Sequence, residues 1–269
     1  MPAQQVFEDI LMCNNCANVP GVNPQMLEYL PTPWQGDIVN AEVLFVLINP
    51  APNSCPPLNT NIDAFKKHCI KGKCSLRRID YNQFNNKDQA YIRDALYTKH
   101  GTVGRWEYSY GKKLKQCIES FAKNALGIKI ENVAFTEPIH CQTPKERHVT
   151  GNVLNTCINT FNQIIQLTQK NRLRFIVFLG DVNKKAIADY LNILLQCQFI
   201  SMIPNQQIVT EIQGTKISDY TPIIRINNLV LIFSCFQFRN YSMKIIQNYL
   251  NSNAHQQEIE YRILNTPKA

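Results

Sequence analysis

The chain has 269 residues, 45% of them hydrophobic, and a net charge of +8 from 28 Lys and Arg against 20 Asp and Glu. This length and composition allow one large domain with a buried core, and we expect a single domain over residues 1–269. No stretch approaches the roughly eighteen apolar residues of a membrane span, and the N-terminus lacks a signal-peptide pattern, so we expect a cytoplasmic protein with no membrane partner. The positive charge favours a polyanionic partner, although ordinary solubility charge explains it equally well.

Ten cysteines are the most distinctive feature of the composition. Because the cytosol keeps thiols reduced, we expect them to bind a metal or to lie buried and inert, rather than to form disulfides. Cys13 and Cys16 form a Cys-x-x-Cys pair near the N-terminus, and Cys141 and Cys157 follow later. Four thiolates suit a 4Fe-4S cluster or a structural zinc ion, and buried thiols without a metal are the alternative.

Four short apolar segments, rich in Val, Ile and Phe, predict strands that are covered on both faces. They span residues 42–48, 132–136, 174–179 and 229–233. Apolar spacing near 3.6 predicts helices over residues 112–126, 153–168, 183–195 and 241–250. This alternation predicts an α/β protein, a three-layer α/β/α sandwich with a central four-stranded, mainly parallel sheet.

Two stretches do not follow the alternation. Residues 53–105 are polar and rich in Lys and Arg, and we interpret them as an insertion into the domain. The stretch after Asn251 is polar enough to be a terminal helix or a frayed tail. Parallel sheets bind ligands beyond the carboxyl ends of their strands, so functional residues are expected directly after each strand.

The order and spacing of the four cysteines resemble those of the iron-sulfur uracil-DNA glycosylases, known as families 4 and 5. Those proteins begin with Cys-x-x-Cys and place a third Cys just beyond the second strand in a Pro-containing segment, here residues 140–147. Their fourth Cys comes sixteen positions later, as Cys157 follows Cys141. The resemblance covers about residues 13–239 without the insertion. It implies a uracil-DNA glycosylase-like fold and a structural 4Fe-4S cluster held by Cys13, Cys16, Cys141 and Cys157.

The other six cysteines have no counterpart in that family. They are Cys55, Cys69, Cys74, Cys117, Cys197 and Cys235. A second metal site built from Cys55, His68, Cys69 and Cys74 is the alternative to ordinary loop thiols.

The resemblance also indicates residues of a base-excision site. Residues 47–51, Leu-Ile-Asn-Pro-Ala, resemble a segment of the mismatch-specific and family 5 glycosylases, which makes Asn49 the catalytic candidate that orients the attacking water. A plain turn after a strand explains Asn-Pro as well. The family places a stacking aromatic before a Gly that starts a helix. If Gly111 is that Gly, Trp106 or Tyr108 would stack on the base, although such aromatics also serve in cores.

Two positions depart from the family. Family 4 proteins have Asn four residues before the third cluster Cys, where this chain has Glu137, a candidate for both catalysis and base binding. A carboxylate accepts a hydrogen bond from the amine of cytosine but cannot donate one to uracil, so Glu137 favours a cytosine-like base unless it is an exposed strand-end residue. The family has a His after the fourth strand, and residues 234–239 of this chain contain none. Either Gln237 or another donor replaces it, or the leaving group is stabilised differently, or the protein is not a conventional hydrolase. Arg239 suits a contact to a DNA phosphate or to the minor groove.

These residues predict a monomeric DNA glycosylase that hydrolyses the N-glycosidic bond of a flipped noncanonical base and leaves an abasic site. Modified cytosine is the expected base, in DNA repair or, as the superfamily resemblance implies, in antiviral defence. The alternatives are a uracil or mismatch repair glycosylase and a catalytically inactive iron-sulfur protein that binds nucleic acid.

Overall fold

The structure is a computed structural model that describes most of the chain. The described residues are 2–19, 27–47, 55–72, 74–102, 111–138, 140–141, 151–168, 172–179, 184–196, 198, 200, 206–214, 220–234, 240–252 and 259–265.

Helices and strands alternate along this described chain. The helices are α1 (Ala3–Leu11), α2 (Ile62–Phe65), α3 (Arg78–Gln83), α4 (Asn86–Leu96), α5 (Gly111–Ser120), α6 (Gly151–Leu167), α7 (Lys184–Gln196), α8 (Gln206–Gly214) and α9 (Asn240–Asn251). The strands are β1 (Trp34–Gln35), β2 (Val43–Val46), β3 (Val133–Thr136), β4 (Phe175–Leu179), β5 (Tyr220–Ile226), β6 (Leu229–Ser234) and β7 (Ile259–Asn265). Wider π-helical turns continue α2, α4 and α5 over Lys66–Lys71, Tyr97–Gly101 and Phe121–Ala125, and 3-10 turns cover Asn15–Asn18 and Ile130–Asn132.

These strands form one sheet in the order β1-β3-β2-β4-β6-β5-β7. Its four central strands, β3, β2, β4 and β6, are parallel and coincide with the four strands predicted from the sequence. Antiparallel pairing adds β1 on one side and β5 and β7 on the other. The α/β class is confirmed. The predicted strand number is wrong, because antiparallel strands extend the parallel centre to a sheet of seven.

Side chains of the central strands alternate between two buried faces, as the pleat of a strand requires. In β2, Leu44 and Val46 join one hydrophobic cluster, while Val43 and Phe45 join the other. The first cluster includes side chains of α1, α6 and α7, and the second includes side chains of α5 and α9. Since both faces are covered, these strands are apolar except for Thr136 at the end of β3 and Ser234 at the end of β6, which is why they read as nearly continuous apolar runs.

The helices predicted over residues 112–126, 153–168, 183–195 and 241–250 are confirmed as α5 with its π-helical turn, α6, α7 and α9. The reason why these segments form helices is clear in α6, which buries Phe161, Ile164 and Ile165. Side chains three and four positions apart share one face of a helix, so this spacing forms a stripe that packs against the sheet.

The predicted insertion is folded into the core. Its described portions form α2, α3 and α4, and Phe65, Ile92 and Leu96 are buried in the same hydrophobic cluster as α1 and β2. Asn61 and Asn85 are the N-cap residues directly before α2 and α4, and their side-chain oxygens accept hydrogen bonds from backbone amides of the first turn. The segment is polar in composition, but its apolar residues are spaced so that they are buried.

The end of the described chain differs from the prediction of a helix or a frayed tail. Residues Ile259–Asn265 form β7, which pairs antiparallel with all seven residues of β5. The residues directly after α9 are polar and do not indicate a strand, because β7 begins only at Ile259. None of the described helices has the length and apolar character needed to cross a membrane.

Candidate functional site

Three distant chain segments bring cysteines together beside the sheet. Cys13 follows α1, and Cys16 lies in the 3-10 turn Asn15–Asn18. Cys141 lies beyond the end of β3, and Cys157 lies in α6. The Sγ atoms of Cys16 and Cys157, which are 141 positions apart in the chain, are separated by 4.0 Å. These cysteines, called here the four-cysteine group, are the four that the family resemblance selects as ligands.

The thiols of the four-cysteine group influence one another's ionisation. Hydrogen bonds from Cys141 and Cys157 lower the pKa of the Cys16 thiol to about 3. Hydrogen bonds with Cys141 and Cys16, together with burial, raise the pKa of Cys157. Cys13 is near enough to act electrostatically on Cys141. One thiolate is therefore stabilised at the expense of its neighbours, and several thiolates at once require positive charge, which a bound metal centre supplies.

The arrangement can be compared with the demands of two kinds of metal centre. Within the described residues, no three His, Cys, Asp or Glu side chains converge as a site for a single metal ion. A 4Fe-4S cluster has a different requirement, because its four cysteine ligands bind different iron atoms of the cluster and do not converge on a single ion. The four-cysteine group supplies the sulfur donors of such a cluster, and Cys16, Cys141 and Cys157 are buried. Its donor chemistry and burial fit a cluster.

His140 is a neighbour of this group that the sequence reasoning did not single out, although it directly precedes Cys141. Its Nδ1 lies 3.3 Å from the carbonyl oxygen of Thr32, and the Thr32 amide donates to the carbonyl oxygen of His140. Burial lowers the pKa of His140 to about 4, so its ring is neutral at neutral pH. With Nδ1 as the donor to Thr32, Nε2 is an acceptor, and it has no hydrogen-bond partner among the described residues.

Arg78, from the predicted insertion, supports the backbone of the four-cysteine group. Its Nη2 donates to the carbonyl oxygen of Cys13 at 2.9 Å, and its Nε donates to the carbonyl oxygen of Leu27 at 3.3 Å. The Arg78 amide donates to the carbonyl oxygen of Glu28 at 2.7 Å. The predicted insertion therefore contacts the Cys-x-x-Cys turn. The sequence does not indicate this contact, because the two residues are 65 positions apart.

Glu137 lies directly after β3 and is buried, with 6% of its surface exposed. The alternative of an exposed strand-end residue is therefore wrong. Glu137 lines a recess of about 10 Å³, which is roughly the space of one water molecule. The other lining residues are Thr32, Trp34, Gln35, Phe135 and Thr136. Gln35 Oε1 is buried without a hydrogen-bond partner among the described residues. The residues that line the recess therefore include one carboxylate and one amide side chain, whose oxygens are hydrogen-bond acceptors.

The remaining predicted site residues lie outside the described part of the structure. They are Asn49, Trp106, Tyr108, Gln237 and Arg239. Three of these residues follow described strands in the sequence: Asn49 comes after β2, and Gln237 and Arg239 come after β6. Val46 of β2 is in register with Thr136 of β3, and Leu47 donates to the carbonyl oxygen of Thr136 at 3.0 Å. Leu47, the last described residue before Asn49, therefore lies beside the end of β3, which Glu137 follows. Gln237 and Arg239 come after β6 in the sequence, and β6 runs parallel on the far side of β4.

No protein-family model matches this chain, and no curated protein matches it.

Proposed function

We propose that this protein is a DNA glycosylase with a uracil-DNA glycosylase-like fold that carries a 4Fe-4S cluster and excises a modified cytosine. The observation that carries the proposal is the meeting of Cys16, Cys141 and Cys157 from a turn, a strand end and a helix, close to Cys13. These are the cysteines whose order and spacing resemble the iron-sulfur family. A chance set of four cysteines has no reason to gather at one place in the fold.

The cluster is proposed to be structural, with Cys13, Cys16, Cys141 and Cys157 as its ligands. Thiolate-iron bonds to these residues would join the end of α1 to the end of β3 and to α6, and such bonds would contribute folding free energy. Arg78 donates a hydrogen bond to the carbonyl oxygen of Cys13, and Nδ1 of the neutral His140 ring lies within hydrogen-bond distance of the Thr32 carbonyl oxygen.

The sheet supports the proposed location of the base pocket. Ligands of open α/β sheets bind beyond the carboxyl ends of the parallel strands. Glu137 follows β3, the Asn49 segment follows β2, and the Gln237 segment follows β6, all central parallel strands. Because β2, β3 and β6 are parallel, their carboxyl ends lie at one end of the sheet, which supports this proposed location.

The chemistry of the Glu137 recess favours an amino group over a carbonyl. The Glu137 carboxylate accepts hydrogen bonds, and so does the buried Gln35 Oε1 that has no partner among the described residues. The exocyclic amine of cytosine donates two hydrogen bonds, whereas the corresponding position of uracil is an acceptor. A uracil carbonyl at this edge would set one acceptor against another, and a buried polar group left unpaired costs about 1–3 kcal/mol. The recess is small, which suits one amino group at the edge of a flipped base.

The proposed reaction breaks the bond between C1′ of deoxyribose and the ring nitrogen of the base. Asn49 orients a water whose oxygen bonds to C1′ as positive charge develops on the sugar, and the base leaves with the bonding electron pair and takes up a proton. Trp106 or Tyr108 stacks on the flipped base, Gln237 hydrogen-bonds the leaving base, and Arg239 contacts a phosphate. The products are free base and an abasic site.

A panel of duplexes tests this function. Anaerobically purified protein is incubated with DNA that contains cytosine, 5-hydroxymethylcytosine, glucosylated 5-hydroxymethylcytosine or uracil, and free base is measured by mass spectrometry alongside alkali-labile abasic sites. Release of a modified cytosine supports the proposal, and release of uracil alone supports a repair glycosylase. The Asn49→Ala variant is the control, because it removes the proposed catalytic group while leaving the cysteines in place.

One observation favours a second candidate, a catalytically inactive protein that binds nucleic acid. The segment after β6, Ser-Cys-Phe-Gln-Phe-Arg at residues 234–239, has no histidine, the usual electrophile of the family. Tight DNA binding without release of any base from the panel would establish this candidate and refute the glycosylase.

A further inference from the structure

Three cysteines of the predicted insertion lie together, apart from the four-cysteine group. The Sγ atoms of Cys55 and Cys69 are 3.6 Å apart and both residues are buried. Cys74, which is half-buried, shares a hydrogen bond with Cys55. From the sequence, these cysteines are expected to be ordinary loop thiols or ligands of a second metal site with His68. Within the described residues no three such side chains converge on a single metal ion, so the geometry favours another chemistry.

The loop that carries Cys69 and Cys74 is closed by specific contacts. Lys99 donates from Nζ to the carbonyl oxygens of Cys69 and Gly72, at 2.7 and 2.9 Å. The Cys74 amide donates to the carbonyl oxygen of His68 at 3.2 Å. A side chain at Gly72 would place its Cβ 2.3 Å from the carbonyl oxygen of His68, so the turn requires glycine. The hydrogen bond from the Cys74 amide therefore places Cys74 next to the helical segment that contains Cys69.

The three thiols differ in access to solvent. Burial raises the pKa of Cys55 to about 11 and raises the pKa of Cys69 as well. Buried protonated thiols react slowly, because the thiolate is the nucleophile. Cys74 is the most accessible of the three, and the Lys99 ammonium lies near the loop and partly offsets the burial of Cys69. Reagents in solution therefore meet Cys74 first.

We infer that Cys55, Cys69 and Cys74 form a thiol-disulfide exchange site, in which Cys74 receives oxidising equivalents from a small disulfide such as glutathione disulfide and passes them to the pair Cys55 and Cys69. A disulfide requires the two sulfurs to approach to about 2.05 Å, and the 3.6 Å between Cys55 and Cys69 leaves a small adjustment. The site does not depend on the proposed glycosylase activity.

The exchange balances in three displacements. The Cys74 thiolate attacks glutathione disulfide and releases one glutathione thiolate, forming a mixed disulfide. The Cys55 thiolate then attacks the Cys74 sulfur and releases the second glutathione thiolate. The Cys69 thiolate finally attacks the Cys55 sulfur and releases Cys74 as a thiolate. Two protein thiols are oxidised, one glutathione disulfide is reduced to two glutathiones, and the two protons lost by Cys55 and Cys69 end on the glutathione thiolates.

Peptide mapping of the full chain tests the inference. Anaerobically purified protein is equilibrated with glutathione disulfide, quenched with an alkylating reagent, digested and analysed by mass spectrometry. We expect a peptide pair joined through Cys55 and Cys69 with Cys74 alkylated. Cys69→Ser should abolish this pair, and Cys74→Ser should slow its formation by about tenfold, because the reaction must then begin at a buried thiol.

The control is Cys117→Ser, which removes a half-buried cysteine on α5 and should leave the rate and the pairing unchanged. Circular dichroism of each variant separates a lost fold from a lost exchange. The inference is overturned by glutathione that stays on Cys74 of the natural protein, by a final pair other than Cys55 and Cys69, or by full reduction of all three thiols at equilibrium. A Cys74→Ser variant that oxidises at the natural rate would also overturn the role given to Cys74.

Discussion

The guanidinium of Arg78 donates to the carbonyl oxygen of Cys13 at 2.9 Å, so a residue of the insertion holds the backbone of a proposed cluster ligand. The same side chain donates to the carbonyl oxygen of Leu27, and its amide donates to Glu28. The insertion is therefore part of the support of the four-cysteine group as well as part of the hydrophobic core.

Arg78→Ala should destabilise the protein by about 1.5–3 kcal/mol, because it removes hydrogen bonds donated by a charged group to the partly buried carbonyls of Cys13 and Leu27. It should also increase the rate at which a chelator removes iron. Urea unfolding and iron release are the measurements. Arg172→Ala is the matched control, since Arg172 is exposed and donates to the side-chain oxygen of Asn40, and its effect should stay within about 0.5 kcal/mol. Equal effects of the two variants would show that the Cys13 contact has no special role.

Replacement of Cys157 by Ala should remove iron and lower the melting temperature, because a cluster that joins three segments contributes folding free energy. Cys117→Ala, a half-buried cysteine outside the four-cysteine group, should keep full iron. Iron, zinc and acid-labile sulfide are measured on anaerobically prepared protein. Stoichiometric zinc without iron would refute the cluster, and full iron in Cys157→Ala would refute this ligand.

Stability should fall in mild acid partly because of His100. Burial, with a smaller contribution from the Lys99 charge, lowers the pKa of His100 to about 3, below the 6.5 of an exposed histidine. The unfolded chain therefore binds the proton more readily, and stability is lost as the pH falls from about 6.5 towards 3. One such group changes the free energy of unfolding by at most about 1.4 kcal/mol per pH unit. The change is smaller here, because part of the His100 residue remains exposed to solvent.

The measurement is urea unfolding of the natural protein and His100→Gln at pH 7 and pH 5. The variant should lose less stability between these two values, while His140, which shifts in the same direction, stays in both proteins. Identical pH dependence in the two proteins would contradict the assignment.

Asn49→Ala should lower the rate of base release by about 100-fold with little change in DNA affinity, because the residue acts on the water and the developing charge rather than on phosphates. Single-turnover release and fluorescence anisotropy on the same duplex separate the two effects. If the variant releases base at the natural rate, Asn49 is only a turn residue.

The sequence predicts the centre of the fold well and its edges poorly. The parallel strands are fully buried, so their apolar runs are unmistakable, whereas β1 has only two residues and no pattern to detect. In β5, Pro222 argues against a strand, yet it pairs with Ile263 of β7, while the pairing with β6 begins at Ile223. The outermost strands, β1 and β7, pair with strands distant in the chain, which a local pattern does not reveal.

The same distinction applies to the candidate site. The spacing of Cys141 and Cys157 could be read from the sequence, since it belongs to one continuous segment. The burial of Glu137 and its place opposite β1 could not, because they depend on Trp34 and Gln35 pairing with β3 from a hundred residues away. The contact between Arg78 and Cys13 is of the same kind.

Single-turnover release of base by the natural protein and by Glu137→Asn is the most direct test of the proposed glycosylase that selects cytosine-type bases through the Glu137 carboxylate. Duplexes are matched except for uracil, cytosine, 5-hydroxymethylcytosine or glucosylated 5-hydroxymethylcytosine at one position. We expect the natural protein to release a cytosine-type base fastest and Glu137→Asn to shift the preference towards uracil by about ten- to a hundredfold, as one mismatched buried pair requires. Fastest release of uracil by the natural protein, with the same ranking in Glu137→Asn, would contradict it.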